Sequence, residues 1–403
     1  MEMDRTNMSQ DAGVQDDSDE EQRAGSGGGF ALGRKYLDIQ EEARAFAQLI
    51  EPMAAEADEQ SKIHPGMLSA LKESSLAELM VPREYGGRFD RLDPLAICLV
   101  REVLMGTSAH ADSLFALQGI GSYAITASGA PAQRSEWLPR VATFDALAAL
   151  ALTEPEAGSD LKSIKTTLEP VGTELRLHGT KSFISNAGAA AYYLVFARED
   201  GDFSMVLVPA NTVGVSVKPS PELIAPHVLG EVRFDGVRLP AAARLGERGK
   251  GLDMVLATLG VFRVSVAGAA VGLAQAALEE AVRHTRTRIQ FGRPLARLGP
   301  VAQMLGDSWT ELEMARLLTY RAASMAVDDP SASLHFSSMA KLGASEMASR
   351  VVDRCVQMMG RFGLIRGSRI ERLYRQARPM RIYEGASEVL RLGIARQLTE
   401  VVR

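Results

Sequence analysis

The stretch Tyr193-Leu194-Val195-Phe196-Ala197-Arg198-Glu199-Asp200-Gly201-Asp202-Phe203-Ser204-Met205-Val206-Leu207 decides how the rest of the chain is read. Tyr193 and Val195 recur with period two, Glu199 to Asp202 supplies turn residues, and Met205 and Leu207 resume the alternation, the pattern of a β-hairpin. Leu175 and Leu177 show the same period upstream, so the region from about Leu147 to about Arg244 reads as antiparallel β. On its N-terminal side, from Lys35 to about Val141, apolar residues recur at three and four (Tyr36, Ile39, Ala43, Phe46, Leu49, Ile50) between breakers at Pro65, Pro82, Gly86-Gly87, Pro94 and Gly129. From Leu252 onward the helical period returns over Arg263 to Arg286, Val301 to Ala326 and Leu334 to Met359. The order is helices, sheet, helices, an α+β class. A doubly wound nucleotide fold needs alternating strands and helices and is disfavoured.

Composition narrows the function classes. The chain of 403 residues is 46% hydrophobic with a formal charge of -5, which suits two or three globular domains. Residues 1–29 hold eight acids against two arginines, so this leader carries -6 and the remaining body +1. Ending in Gly25-Ser26-Gly27-Gly28-Gly29, the leader is expected to be disordered and to take no part in the chemistry. It has neither the basic and apolar regions of a signal peptide nor the composition of a transit peptide, so a cytoplasmic protein is expected. Val264 to Leu278 is apolar but falls short of the roughly 20 residues a membrane span needs, so it reads as a buried helix. Cys98 and Cys355 read as core thiols. The six histidines never fall at metal-ligand spacing, so no metal is expected. Hydrolase and phosphate-loop signatures are absent. Arg366, Arg369, Arg372, Arg375, Arg378 and Arg381 form a basic stripe, but the near-neutral body and the lone Tyr374 argue against nucleic acid; subunit contacts and cofactor phosphates are the expected use.

Four segments could carry chemistry. Ala151 to Asp160 runs an apolar strand into a turn dense in small and hydroxyl residues, whose backbone N–H groups can hold an anion or a ring edge. Gly179 to Gly188 carries Phe183 and several hydroxyls into a second such turn. Arg286 to Pro294 ends a long helix with cations followed by Gly292 and Pro294. Ile382 to Glu388 places Glu384 between an aromatic and a glycine before the last helix. Each has an ordinary reading as a turn, a stop signal or a cap.

Taken together, the TEPxAGSD run at Thr153 to Asp160, RxxFG at Arg288 to Gly292 and IYEG at Ile382 to Gly385 resemble the acyl-CoA dehydrogenase family, over about Lys35 to the C-terminus. The resemblance implies an N-terminal α-helical domain at 30–146, a middle antiparallel β-barrel-like domain at 147–245 and a C-terminal four-helix bundle at 246–403, after the leader at 1–29. It implies FAD between the β domain and the bundle, a homotetramer, an acyl-CoA or acyl-carrier-protein thioester as substrate, and an electron-transfer flavoprotein as acceptor. Neither nucleic acid nor membrane is implied.

By that resemblance Leu152, Thr153, Gly158, Ser159, Phe183, Ser185, Arg288, Gln290, Phe291, Gln357, Gly360, Arg361, Ala386 and Glu388 bind FAD. Ser185 would meet flavin N5, and Arg288, Gln290 and Phe291 would reach FAD across a subunit contact. Ser159, Arg263, Gly385 and Arg396 match positions that contact the acyl thioester, the arginines with its phosphates and carrier. Glu384 matches the catalytic base. The alternative base position of one branch of the family is Phe262, which cannot take a proton. The implied reaction is α,β-dehydrogenation: Glu384 takes the α-proton and hydride leaves Cβ for N5. A flavin oxidase or oxygenase on the same fold is the alternative. This chain departs from the family pattern at Gly299, Arg361, Gln376 and Gly260. A weakly acidic α-proton calls for a positioned carboxylate and hydrogen bonds to the carbonyl oxygen, and burial beside Tyr383 is expected to raise the Glu384 pKa.

Overall fold

The computed structural model describes residues 32–329 and 332–401; the acidic leader expected at 1–29 lies outside them. Helix α1 spans Arg34–Asp58, α2 Pro65–Glu73, α3 Pro94–Thr107, α4 Ala109–Ile120, α5 Tyr123–Ser128 and α6 Pro131–Ala142. Their starts follow local chemistry. Asp93 accepts hydrogen bonds from the N–H groups of Leu95 and Ala96, with Pro94 as the first residue of α3. Ser108 accepts from Ala111 N–H to open α4.

Seven strands follow: β1 Ala148–Ala151, β2 Thr167–Val171, β3 Glu174–Ser185, β4 Tyr192–Glu199, β5 Asp202–Pro209, β6 Val215–Pro219 and β7 Leu229–Pro240. The hairpin is where the sequence puts it: Glu199 pairs with Asp202 across a turn in which Asp200 and Gly201 have φ of 48° and 89°. The sheet runs β1-β4-β2-β3-β7-β6, with β5 also on β4. It is not wholly antiparallel, because β1 lies parallel to β4 from Ala148 opposite Tyr192 to Ala151 opposite Val195. The physical reason is that β2 and β3 intervene in the chain, so β4 returns to β1 by a long crossover instead of a tight turn. Nor is the alternation in β4 a division between core and solvent. Tyr192, Leu194 and Phe196 pack into one hydrophobic cluster and Tyr193, Val195 and Ala197 into another.

The C-terminal part is built on α7, Gly251–Thr287, with α8 Gly299–Asp328, α9 Leu334–Met359, α10 Arg369–Ala377 and α11 Ser387–Val401. A two-residue ribbon, β8 (Ile289–Gln290) and β9 (Arg293–Pro294), follows α7. By length and composition α7 could cross a membrane, yet 78% of its most apolar window is buried inside the chain. Its glycines explain how closely it is packed: a Cβ on Gly272 would stand 1.7 Å from the Glu102 carbonyl oxygen, so α3 and α7 meet backbone to backbone. Of the arginine stripe, Arg369, Arg372, Arg375 and Arg381 are engaged within the chain, while Arg366 and Arg378 lie exposed. Arg369 donates to the Gly106 carbonyl at 2.8 Å, Arg375 pairs with Glu371 and Glu59, and Arg381 with Glu346 at 3.0 Å. Helix α10 packs on α9 and α7, Arg375 reaches Glu59 just past the end of α1, and Arg381 reaches Glu346 on α9.

Candidate active site

The turn after β1 and the end of β3 are brought together. The N–H of Ser182 donates to the Thr153 carbonyl at 2.9 Å, and Lys181 Nζ donates to the Leu152 carbonyl at 2.9 Å and to Glu154 Oε1 at 2.9 Å. Burial pushes the Lys181 ammonium down to about 8, with Glu154 offsetting part of the effect. Burial pushes the Glu154 carboxyl up, but hydrogen bonds from Thr166, Lys165 and Lys181 outweigh it and hold it below the ordinary glutamate value. Both groups are therefore charged near neutrality, a buried pair that fixes the turn carrying Leu152 and Thr153. Between Lys181 and Ile184 the register of β3 against β7 slips, and Phe183 takes a left-handed φ of 54°. This bulge turns Phe183 outward, leaving it 55% exposed despite its size. Gly158 and Ser159 lie on the exposed side of the same turn.

Ser185, two residues on, is held by a partner the sequence did not disclose. Its Oγ lies 3.0 Å from Nε2 of His227, which also lies 3.4 Å from Ser113 Oγ on α4. Burial pushes the His227 imidazole down to about 4, so it is neutral near pH 7. A histidine in the loop between β6 and β7 carries no periodicity signal, which is why sequence reasoning passed over it.

Glu384 lies in the segment before α11 with φ of 51°, followed by Gly385 at 106°. Its Oε2 is sealed from solvent and has no hydrogen-bond partner. Burial pushes its carboxyl above the ordinary glutamate value, against the opposing pull of Arg101, Arg263 and Lys341, while Asp112 adds to the rise. Arg263 donates from Nε to the Glu384 carbonyl at 2.8 Å and from Nη1 to Ser338 Oγ at 3.3 Å, so this arginine, expected at the phosphates and carrier, is engaged inside the chain. Lys341 Nζ donates to the Gly385 carbonyl at 2.7 Å. Arg101 forms a buried two-point pair with Asp112 at 2.9 and 2.7 Å and donates to Ser265 Oγ at 2.8 Å. Asp112 and Ser113 are neighbours on α4, so one helix serves both the Glu384 cluster and the Ser185–His227 pair. Lys341 could have been found in the sequence: it is a lysine on the small-residue stripe Ser337, Ala340, Ala344, Ala348 that α9 buries.

A third group lines a cavity of about 370 Å³ that includes Arg288, Gln290, Gly360, Arg361, His284 and Phe362. Arg288 and Arg361 both flank the Phe362 ring, at 5.8 and 5.1 Å from its centroid. Neither guanidinium has a carboxylate partner among the described residues. Two uncompensated cations and an aromatic face in one cavity suit a ligand that joins phosphates to a flat heterocycle. Arg361, a departure from the family pattern, adds a second cation to this cavity. Phe291 is 89% exposed and does not line this cavity, Gln357 lies exposed beside it, and Ala386 and Glu388 adjoin Glu384. Arg396 projects from the exposed face of α11 and is not brought to the other site residues within one chain.

Sequence comparison matches residues 34–145 to the acyl-CoA dehydrogenase N-terminal domain, 149–237 to the middle domain and 249–399 to the C-terminal domain. The chain belongs to the acyl-CoA dehydrogenase family. Cyclohexane-1-carbonyl-CoA dehydrogenase of Geobacter metallireducens is 32% identical over 88% of this chain and 94% of its own. The solved butyryl-CoA dehydrogenase of Megasphaera elsdenii superposes with a TM-score of 0.87 at 29% identity, covering 92% of this chain and all (100%) of that one. A glutaryl-CoA dehydrogenase from Mycobacterium smegmatis in complex with FADH2 superposes at 0.86 with 26% identity, over 92% of this chain and 96% of that one. Family membership makes this chain a flavoprotein oxidoreductase.

Proposed function

We propose that the protein catalyses the FAD-dependent α,β-dehydrogenation of an acyl-CoA thioester, with Glu384 as the base. The observation that carries this reading is the Glu384 carboxylate: one oxygen sealed and unpartnered, a raised pKa, and a backbone held by two cations. Other buried polar atoms also lack partners, among them hydroxyls of Thr126 and Ser308. At Glu384, however, the unpartnered oxygen belongs to a carboxylate with a raised pKa between two cation-held carbonyls, and that combination suits a group reserved for a ligand. A carboxylate with a raised pKa is a stronger base toward a carbon acid than an ordinary surface glutamate. Phe262 at the alternative position is wholly buried and cannot serve.

The cofactor site divides between two places on the chain. Leu152, Thr153, Phe183 and Ser185 would hold the isoalloxazine, with the Ser185 hydroxyl toward N5. Arg288, Gln290, Gly360 and Arg361 would hold the pyrophosphate and adenine. When bound, FAD supplies the hydride acceptor at N5. The residues themselves orient the ring, exclude water and keep the base in place.

Acyl-CoA is preferred over an acyl-carrier-protein thioester because curated relatives covering most of the chain act, by their names, on CoA thioesters. An electron-transfer flavoprotein as acceptor, a cytoplasmic location and a homotetramer belong to the same reading. Exposed Trp309, Met314 and Leu317 on α8 and Leu392 and Leu398 on α11 support self-association through the bundle. The test is anaerobic mixing of the holoenzyme with a panel of acyl-CoA and acyl-carrier-protein thioesters. Bleaching of the flavin absorbance by a CoA thioester supports the reading; no bleaching by any thioester refutes it.

A further inference from the structure

Resting on the reading of Glu384 as the base, we propose that Lys341 is a positioning residue that holds the left-handed Glu384–Gly385 segment in its reactive conformation and supplies charge to the carboxylate. Lys341 on α9 is completely buried, which lysines almost never are without a partner. Its one hydrogen bond is to the Gly385 carbonyl at 2.7 Å, and it has no ion-pair partner among the described residues. A cation placed there for stability alone would cost desolvation with little return.

The backbone explains what the lysine does. A glutamate at φ 51° sits in a region that strains a non-glycine residue, and such a conformation persists only where its surroundings over-determine it. Arg263 takes the carbonyl of Glu384 at 2.8 Å and Lys341 takes the next carbonyl, that of Gly385. Two cations from α7 and α9 thus grip consecutive carbonyls, and the side chain between them is the base. A Cβ at Gly385 would come within 3.1 Å of Arg263 Nη2, so the grip also requires glycine there.

Glu384 faces Arg101 from α3, Asp112 from α4, Arg263 from α7 and Lys341 from α9, with Tyr383 adjacent in the chain. Lys341 in turn faces Glu384, Arg263, Glu346 and Glu388. Burial pushes the Lys341 ammonium down to about 8, so it remains mostly charged at neutral pH and stabilises the ionised form of Glu384. Removing it must move the Glu384 pKa upward.

The test uses Lys341→Met and Lys341→Arg holoenzymes with the acyl-CoA that bleaches wild type fastest. In Lys341→Met, kcat is expected to fall about 10- to 100-fold with KM nearly unchanged, the acid limb of the kcat profile to move to higher pH, and FAD content to stay at wild-type level. Lys341→Arg, which restores charge and donor, is expected to return the acid limb toward wild type. A folded, FAD-loaded Lys341→Met enzyme with kcat and acid limb unmoved overturns the proposal. Should the methionine unfold the chain, Lys341→Gln keeps a donor without the charge, and an unmoved acid limb in that variant is equally decisive. Glu384→Gln is run alongside. Retained bleaching there refutes the base itself, whereas lost bleaching with an unmoved limb in the Lys341 variants refutes the positioning role alone.

Discussion

Arg263 donates from Nε to the main-chain carbonyl of Glu384 at 2.8 Å, so the longest helix of the bundle grips the backbone of the proposed base. Truncating Arg263 to Ala removes this bond and a cation from beside a buried carboxylate. We expect kcat/KM to fall about 10²-fold or more while FAD remains bound, because the arginine does not line the cofactor cavity. Steady-state rates together with the flavin absorbance of the purified variant check this.

The proton affinity of Glu384 fixes the acid side of the pH profile. Burial holds its pKa above the ordinary 4.5, and the base works only when ionised. Activity should therefore be lost, as pH falls, at a higher pH than an ordinary glutamate would give. A kcat profile whose acid limb lies at or below 4.5 would contradict the burial argument.

Arg361 should matter for cofactor retention. It flanks Phe362, as Arg288 does, in one cavity, without a carboxylate partner among the described residues. Arg361→Ala is expected to weaken FAD binding by about tenfold, the scale of one charge-assisted hydrogen bond. Equilibrium titration of apoprotein with FAD measures it, and the loss should shrink as salt is raised.

His227 and His110 give the fold an acid limit. Both are held neutral by burial, with values lowered to about 4 from 6.5. The unfolded chain therefore binds more protons than the folded chain between these values, so stability present above pH 6.5 is lost as pH falls toward 4. Each histidine accounts for a loss on the order of 3 kcal/mol across that window. Thermal melts of wild type should fall steeply in this range, and His227→Asn, which keeps a polar partner for Ser185, should flatten the fall.

Much of this architecture was legible because local chemistry and tertiary packing agree. The helix predicted from Leu334 to Met359 has those bounds, and the Asp200–Gly201 turn is where its residues require it. Period two in β4 identified a strand but hid that both its faces are buried, since apolar residues of either parity satisfy the same count. The parallel pairing of β1 with β4 was invisible because strand direction is set by a partner some forty residues away. At the candidate site, Glu384 and Thr153 stood out because they lie within contiguous motifs. Arg101, Asp112 and His227 were missed because their partners come from other elements, whereas Lys341 had a signal in its place on the buried stripe of α9 that went unused. Arg263 was expected at the phosphates and carrier; that it also grips the Glu384 carbonyl could not be read, since nothing in a single sequence says which backbone carbonyl an arginine on a core helix reaches.

The most direct measurement is single-turnover flavin bleaching by a reactive acyl-CoA in wild type and Glu384→Gln, both FAD-loaded and anaerobic. The account predicts a loss of about 10²- to 10⁴-fold in the bleaching rate of the variant, with its resting spectrum unchanged. A variant that bleaches within a few-fold of wild type would remove Glu384 as the base.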